Sequence, residues 1–176
     1  FESLPEWDSQ TDYIDQWANY VKAKDQEAFN RHFKKMLVRC VACALKGLYY
    51  NKQAFILVGH KQNTGKSTWV RALCPSALRH YISENMSTDK DALMCLAENF
   101  IINLDELAIL DKKEINYIKS LLSKDRVKVR RPFDTRGTTD SRRASFFGST
   151  NNEDFLTDET GSVRWLCFEI EGIDFS

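Results

Sequence analysis

The sequence predicts an α/β fold, a mostly parallel sheet with helices packed on it, preceded by a small helical N-terminal region. Three observations carry this. The runs Ala54-Phe-Ile-Leu-Val58 and Phe100-Ile-Ile-Asn-Leu104 are short and almost continuously apolar, as in strands buried on both faces. Segments with helical periodicity alternate with such runs, which is the signature of strand–helix–strand units. The loop GHKQNTGKST, residues 59–68, joins the first run to a helix-like segment.

Taken in order, residues 1–10 read as an irregular lead-in and residues 12–50 as helical. Ile14, Trp17 and Val21 fit one apolar face, and Phe29, Phe33, Leu37, Val41, Leu45 and Leu48 a longer stripe, with Asp8 or Asp25 as a cap. The strand at 54–58 leads through the loop into a helix over 66–74, stopped by Pro75. Residues 88–98 read as a helix with an acidic first turn. After the strand at 100–104, Asp111-Lys-Lys-Glu114 resembles a capping box opening a helix that carries Ile115, Ile118, Leu121 and Leu122. Val127 and Val129 alternate with basic residues, so 126–133 reads as a strand, 134–140 as turn, and 144–147 and 165–170 as the closing strands. Residues 1–50 form a helical cap or collar and residues 51–176 the core domain.

Composition narrows the class. A chain of 176 residues with 43% hydrophobic residues buries a sizeable core and is not disordered. Lys and Arg number 25 against 25 Asp and Glu, so the protein as a whole is no generic polyanion binder. The five cysteines, Cys40, Cys43, Cys74, Cys95 and Cys167, are odd in number and mostly sit in apolar patterns. They point to a reducing, cytoplasmic setting without a disulfide framework. Cys40 and Cys43 have CxxC spacing, but no second pair or histidine cluster accompanies them, so they read as buried helix residues. No signal peptide is present, and the longest apolar stretch, 36–48, is interrupted by Arg39 and Lys46, which argues against a membrane span. The opening on Phe1 without an initiator methionine reads as a piece of a longer protein.

The loop at 59–68 carries the chemistry. Phosphate-binding loops follow G-x-x-x-x-G-K-[ST]: backbone N–H groups cradle phosphate oxygens, the lysine reaches the β- and γ-phosphates, and the hydroxyl binds Mg²⁺. Gly65, Lys66 and Ser67 supply that core between a strand and a helix, with Asn63, Thr64 and Thr68 flanking it. Five residues rather than four separate Gly59 from Gly65, so either the loop holds one extra residue or His60 takes the first position. ATP and Mg²⁺ are the expected ligands. Hydrolysis needs one acid to hold the metal and one to orient water, and Asp105 and Glu106 stand at the end of a buried strand. Ser67 and Asp105 are thus the expected metal residues. Asn151 ends another strand and is placed to sense the γ-phosphate or hold the water, or else to cap the strand end. Arg164 is a candidate to stabilise transition-state charge on a neighbouring subunit's ATP; a surface ion pair is the other reading.

Residues 124–143 concentrate eight basic side chains: Lys124, Arg126, Lys128, Arg130, Arg131, Arg136, Arg142 and Arg143. Only Asp125, Asp134 and Asp140 oppose them. Such a strip suits a phosphate backbone, and Phe133 among the arginines is suited to stack on a base. A solvated strand face or a subunit interface is the alternative.

The order GKST, IINLDEL, RRPFDTRG with SRR, FFGSTN and DETGSVRWLCFEI resembles virulence-associated E proteins, superfamily 3 helicase-like ATPases of phage, plasmid and mobile-element replication modules. The resemblance covers about residues 55–170 and is most specific near its end, in Gly148-Ser-Thr-Asn151, Phe155-Leu, Asp158, Thr160-Gly161 and Arg164. It implies a P-loop NTPase fold, an AAA+-like superfamily 3 helicase core. It further implies that Lys66 and Ser67 are the phosphate-loop pair, Asp105 and Glu106 the acidic motif, Asn151 the sensor and Arg164 an arginine finger. Arg130, Arg131, Phe133 and Arg136 fall where this superfamily places a DNA-contacting hairpin. Family members are usually hexamers that translocate on single-stranded DNA. The sequence therefore leads us to expect an ATP-driven motor on single-stranded DNA. A nucleotide-gated assembly module and a small-molecule phosphotransferase are the alternatives.

Overall fold

Strand-forming residues alternate between two faces, and both faces here need cover. In the strand Ala54–Val58 all five residues are buried, with Phe55 and Leu57 in one apolar cluster and Ala54, Ile56 and Val58 in another. That two-sided burial dictates three layers, helix on sheet on helix. A computed structural model describes residues 1, 4–47, 49–61, 63–84, 86, 91–131, 135–152 and 163–175. In chain order the helices are α1 (Tyr13–Asn19), α2 (Gln26–Leu45), α3 (Lys66–Ala72), α4 (Asp91–Glu98) and α5 (Lys112–Leu122). The strands are β1 (Val21–Ala23), β2 (Ala54–Val58), β3 (Ile82–Glu84), β4 (Ile101–Leu104), β5 (Arg126–Val129), β6 (Thr138–Ser141), β7 (Ser145–Thr150) and β8 (Trp165–Ile173).

The main sheet has the order β1-β8-β2-β7-β4-β3. Every pairing in it is parallel except β1 with β8. The expected mixed α/β chain with a mostly parallel sheet and a helical N-terminus is therefore what forms. One face carries α2 and α3 through Phe29, Phe33, Met36 and Trp69; the other carries α4 and α5 through Leu96, Ile118 and Leu121. Strands β5 and β6 make a separate antiparallel ribbon whose Val127 and Val129 join the second cluster. At the middle of β7, Gly148 lets two strands approach, since a Cβ there would lie 2.7 Å from the Leu104 carbonyl oxygen.

Several local expectations are corrected. Val21 lies in a strand rather than on a helix, because it pairs with Ile173 at the sheet edge. The buried stripe of α2 is Phe29, Phe33, Met36, Cys40, Cys43 and Ala44, whereas Val41 and Leu45 are exposed. A strict i, i+4 row drifts about 40° per step around a helix of 3.6 residues per turn, so the true face follows mixed spacings of three and four. Leu48 lies outside the described residues. Asp25 does cap α2, but α1 is capped by Asp12, while Asp8 accepts from the Gln10 and Thr11 N–H groups in the turn before it. The capping box forms as expected, with Asp111 and Glu114 each accepting the other's backbone N–H at 2.8 Å. Strand β3, in a segment where no strand was expected, occupies the sheet edge beside β4, and part of 134–140 pairs as β6.

Candidate functional site

Parallel strands bring the loops that follow them to one edge, and ligands of open α/β sheets bind outside those carboxyl ends. Here β2, β4 and β7 end side by side. A cleft of about 400 Å³ opens there, lined by Asn63, Thr64, Gly65, Lys66, Ser67, Thr68, Arg71, Asp105, Glu106, Ser149 and Asn151. Three segments far apart in sequence thus converge.

The loop from β2 into α3 turns on left-handed backbone at Asn63 (φ 57°) and Gly65 (φ 82°). Gly65 is required twice over: its φ favours glycine, and a Cβ there would meet the Phe175 ring at 2.7 Å. Gly59 continues strand pairing, its N–H donating to the Thr150 carbonyl at 3.0 Å. Its own carbonyl accepts from Lys66 Nζ at 3.1 Å. The displaced glycine therefore closes the strand, and the left-handed turn positions at Asn63 and Gly65 follow it. Lys66 is buried, and Nζ also donates to the Lys61 carbonyl at 2.9 Å and to Thr64 Oγ1 at 3.3 Å. Burial pulls its pKa below the ordinary lysine value, with the Asp105 charge opposing.

Asp105 is the hub. Its Oδ1 accepts from Ser67 Oγ at 2.6 Å, from Ser149 Oγ at 2.7 Å and from the Glu106 N–H at 3.1 Å. Arg71 Nη2 lies 3.8 Å from Oδ2. Burial alone raises the carboxyl's pKa, but the hydrogen bonds from Ser67, Ser149 and the Glu106 backbone, with the Arg71 charge, bring it below the usual carboxylate value. Glu106 adopts left-handed backbone (φ 53°, ψ 48°) and is exposed beside the same cleft. Serine hydroxyls and a carboxylate are hard oxygen donors suited to Mg²⁺, which keeps waters and binds through one or two carboxylates plus phosphate oxygens. No group of three or more His, Cys, Asp or Glu able to hold a metal occurs among the described residues, so a metal here needs such outside oxygens.

The expected residues divide. Asn63, Thr64, Gly65, Lys66, Ser67, Thr68, Asp105, Glu106 and Asn151 share the cleft, with Gly59 just behind it. Arg164 does not. Its carbonyl accepts from the Ala54 N–H at the opposite end of β2, about 16 Å away along the strand, and its Nε donates to Ser123 Oγ at 3.1 Å. Ser149 and Arg71 were missed. Ser149 lies two residues before Asn151 on β7, and Arg71 one helical turn after Ser67, so strand and helix periodicity respectively bring them to bear.

The basic segment also divides. Arg126, Lys128 and Arg130 are exposed at alternate positions while Val127 and Val129 point inward, and Arg136 is exposed on the connection to β6. Arg131 is ion-paired with Asp140 at 2.8 Å and Glu98 at 3.4 Å. Phe133 lies outside the described residues. Arg142, counted in the basic strip from sequence, is fully buried: it donates to the carbonyls of Leu121, Leu122, Asn51 and Ala144, with its guanidinium 5.1 Å from the Phe146 ring centroid. Arg143 donates to the Ala44 carbonyl in the last turn of α2. These two arginines satisfy helix C-termini rather than facing a ligand.

Among the described residues no helix is long and apolar enough to cross a membrane. No curated protein sequence matches the chain. Among solved structures, two A-form apo structures of the NrS-1 C-terminal region are similar. One has a TM-score of 0.58 at 16% identity, covering 91% of this chain and 37% of that one. The other has a TM-score of 0.56 at 17% identity, covering 91% and 38%. The likeness is one of fold, and this chain spans well under half the length of those solved chains. A family model described as the virulence-associated protein E-like domain matches residues 1–176.

Proposed function

The chain belongs to the virulence-associated protein E-like family, and from that premise we propose that it is the P-loop ATPase core of a replication motor that moves on single-stranded DNA in phage or mobile-element replication. The observation that carries the reading is the 2.6 Å contact of Ser67 with Asp105, joining the loop after β2 to the end of β4 across the lining of one cleft. Lysine, hydroxyl, acid and asparagine are the parts that phosphoryl transfer to water requires, and all of them border this space.

In this mechanism the loop N–H groups and Lys66 bind the ATP phosphates. The Lys66 ammonium, held by Gly59, Lys61 and Thr64 oxygens, exchanges those acceptors for phosphate oxygens. Ser67 and Asp105 would hold Mg²⁺, which when bound would supply Lewis-acid neutralisation of phosphate charge. Glu106, exposed beside the cleft, orients and polarises the attacking water, and Asn151 senses the γ-phosphate. Arg164, on the far edge of the sheet, acts on the ATP of a neighbouring subunit in a hexamer. Residues 1–50 cover one face of the sheet with α2 and add β1 to its edge, and 51–176 serve as the rest of the ATPase core, working in the cytoplasm. Arg130, Arg131, Phe133 and Arg136 contact the strand, and the exposed Arg126 and Lys128 extend that surface.

ATP turnover with and without single-stranded DNA, in wild type and Lys66→Ala, tests the proposal. Slow turnover that DNA stimulates, and that Lys66→Ala reduces at least a hundredfold, is the expected result. Turnover indifferent to DNA removes the motor. Nucleotide binding without turnover in a DNA-bound complex removes the enzyme and leaves an assembly module.

A further inference from the structure

The cleft contains a charge that the proposed chemistry does not use. We propose that Arg71 is a positioning residue that acts as a second resident cation of the cleft beside Lys66: it balances Asp105 in the absence of metal and sets how tightly a divalent ion binds there, while Glu84 controls its reach. The inference deepens the ATPase reading and rests on it for the identity of the ion's partner, a nucleoside phosphate.

Arg71 follows Ser67 by one helical turn, which places it on the hydroxyl's side of α3 and in the lining of the cleft. The two oxygens of Asp105 are treated differently. Oδ1 takes the Ser67 and Ser149 hydroxyls at 2.6 and 2.7 Å, and Oδ2 faces Arg71 Nη2 at 3.8 Å. That separation is long for an ion pair because the guanidinium is engaged elsewhere. Nε and Nη2 grip Glu84 at 2.7 and 3.3 Å. Glu84 is itself held by Asn103 Nδ2 at 2.9 Å. Asn103 is fully buried on β4, two residues before Asp105, so the strut is anchored in the strand that leads directly into the carboxylate it serves.

The consequences follow from Coulomb's law. A divalent ion approaching Asp105 meets a fixed positive charge a few ångströms away, and that repulsion lowers its affinity. Removing the charge strengthens metal binding. Removing the Glu84 carboxylate releases the guanidinium toward Oδ2, where it competes with the metal more strongly. A purely structural staple between β3 and α3 predicts lower stability for the same variants and no change in metal affinity.

Mn²⁺ titrated alone into the protein and followed by electron paramagnetic resonance reads the site without nucleotide or turnover. The same titration is then repeated with ADP. Arg71→Ala is expected to bind Mn²⁺ roughly tenfold more tightly than wild type. Arg71→Lys is expected to stay near wild type, and Glu84→Gln to bind several-fold more weakly. Asp105→Asn is expected to lose the binding that Arg71→Ala gains. Equal Mn²⁺ affinity in wild type and Arg71→Ala overturns the inference, and so does a gain that survives Asp105→Asn. If the variants shift Mn²⁺ affinity but ADP does not bind, the inference stands and the ATPase reading falls. Normal ADP binding with unshifted Mn²⁺ affinity separates the two the other way.

Discussion

Arg142 shows how position alone reassigns a side chain. In the sequence it is one arginine among eight basic residues between 124 and 143. In the fold it is fully buried, and its planar donor fork meets carbonyls at the end of α5 and from Asn51. Burial pulls its pKa below the usual arginine value, and the carbonyl shell and the Phe146 ring keep the cation satisfied. Arg142→Met leaves those carbonyls without their donor. We expect a loss of about 3 kcal/mol, read as a lower urea midpoint, with Arg142→Lys recovering little because an ammonium cannot reproduce the fork. A midpoint within error of wild type for Arg142→Met would remove this assignment.

At the scale of elements, the β5–β6 ribbon explains why the basic strip survives in part. Period-two alternation sends Val127 and Val129 into the core and leaves Arg126, Lys128 and Arg130 outside. The alternation was legible from sequence, and so was the capping box of α5, because both depend on neighbours close in the chain. Asp140, one of the acids opposing the strip, pairs with Arg131, but the second partner of Arg131 was not legible, because Glu98 comes from α4. If the exposed row contacts a nucleic-acid backbone, replacing Arg126, Lys128 and Arg130 by alanine weakens single-stranded DNA binding. The slope of log K against log salt then drops by roughly 0.7 per lost phosphate contact. An unchanged slope assigns the row to solvent or to another subunit.

At the scale of the whole molecule, one sheet separates two kinds of edge. The carboxyl ends of β2, β4 and β7 gather the cleft, and Arg164 stands at the opposite end of β2. A single chain cannot bring Arg164 to its own Lys66, so any catalytic role for it lies across a subunit boundary. Under the proposed ring assembly, mixing Lys66→Ala and Arg164→Ala proteins, each expected to be inactive alone, restores about a quarter of wild-type turnover, because a random ring pairs an intact loop with an intact arginine at that frequency. Full activity of Arg164→Ala alone would end the role in trans.

What the sequence by itself determined is local: the buried runs at 54–58 and 100–104, the helix that follows GKST, the capped α5, and the residue types that phosphate chemistry requires. These are readable because apolar periodicity, caps and glycine turns act over a few residues. Only the tertiary structure decided what depends on the strand order β1-β8-β2-β7-β4-β3. That order inserts β7 between β2 and β4, and so places the Ser149 hydroxyl on the carboxylate already bound by Ser67. It sets β3 beside β4, so that Glu84 and Asn103 hold Arg71 near Asp105. It also buries Arg142 among helix-end carbonyls. These contacts join residues from 13 to 91 positions apart, and burial and charge balance among them arise only once the sheet has chosen its neighbours.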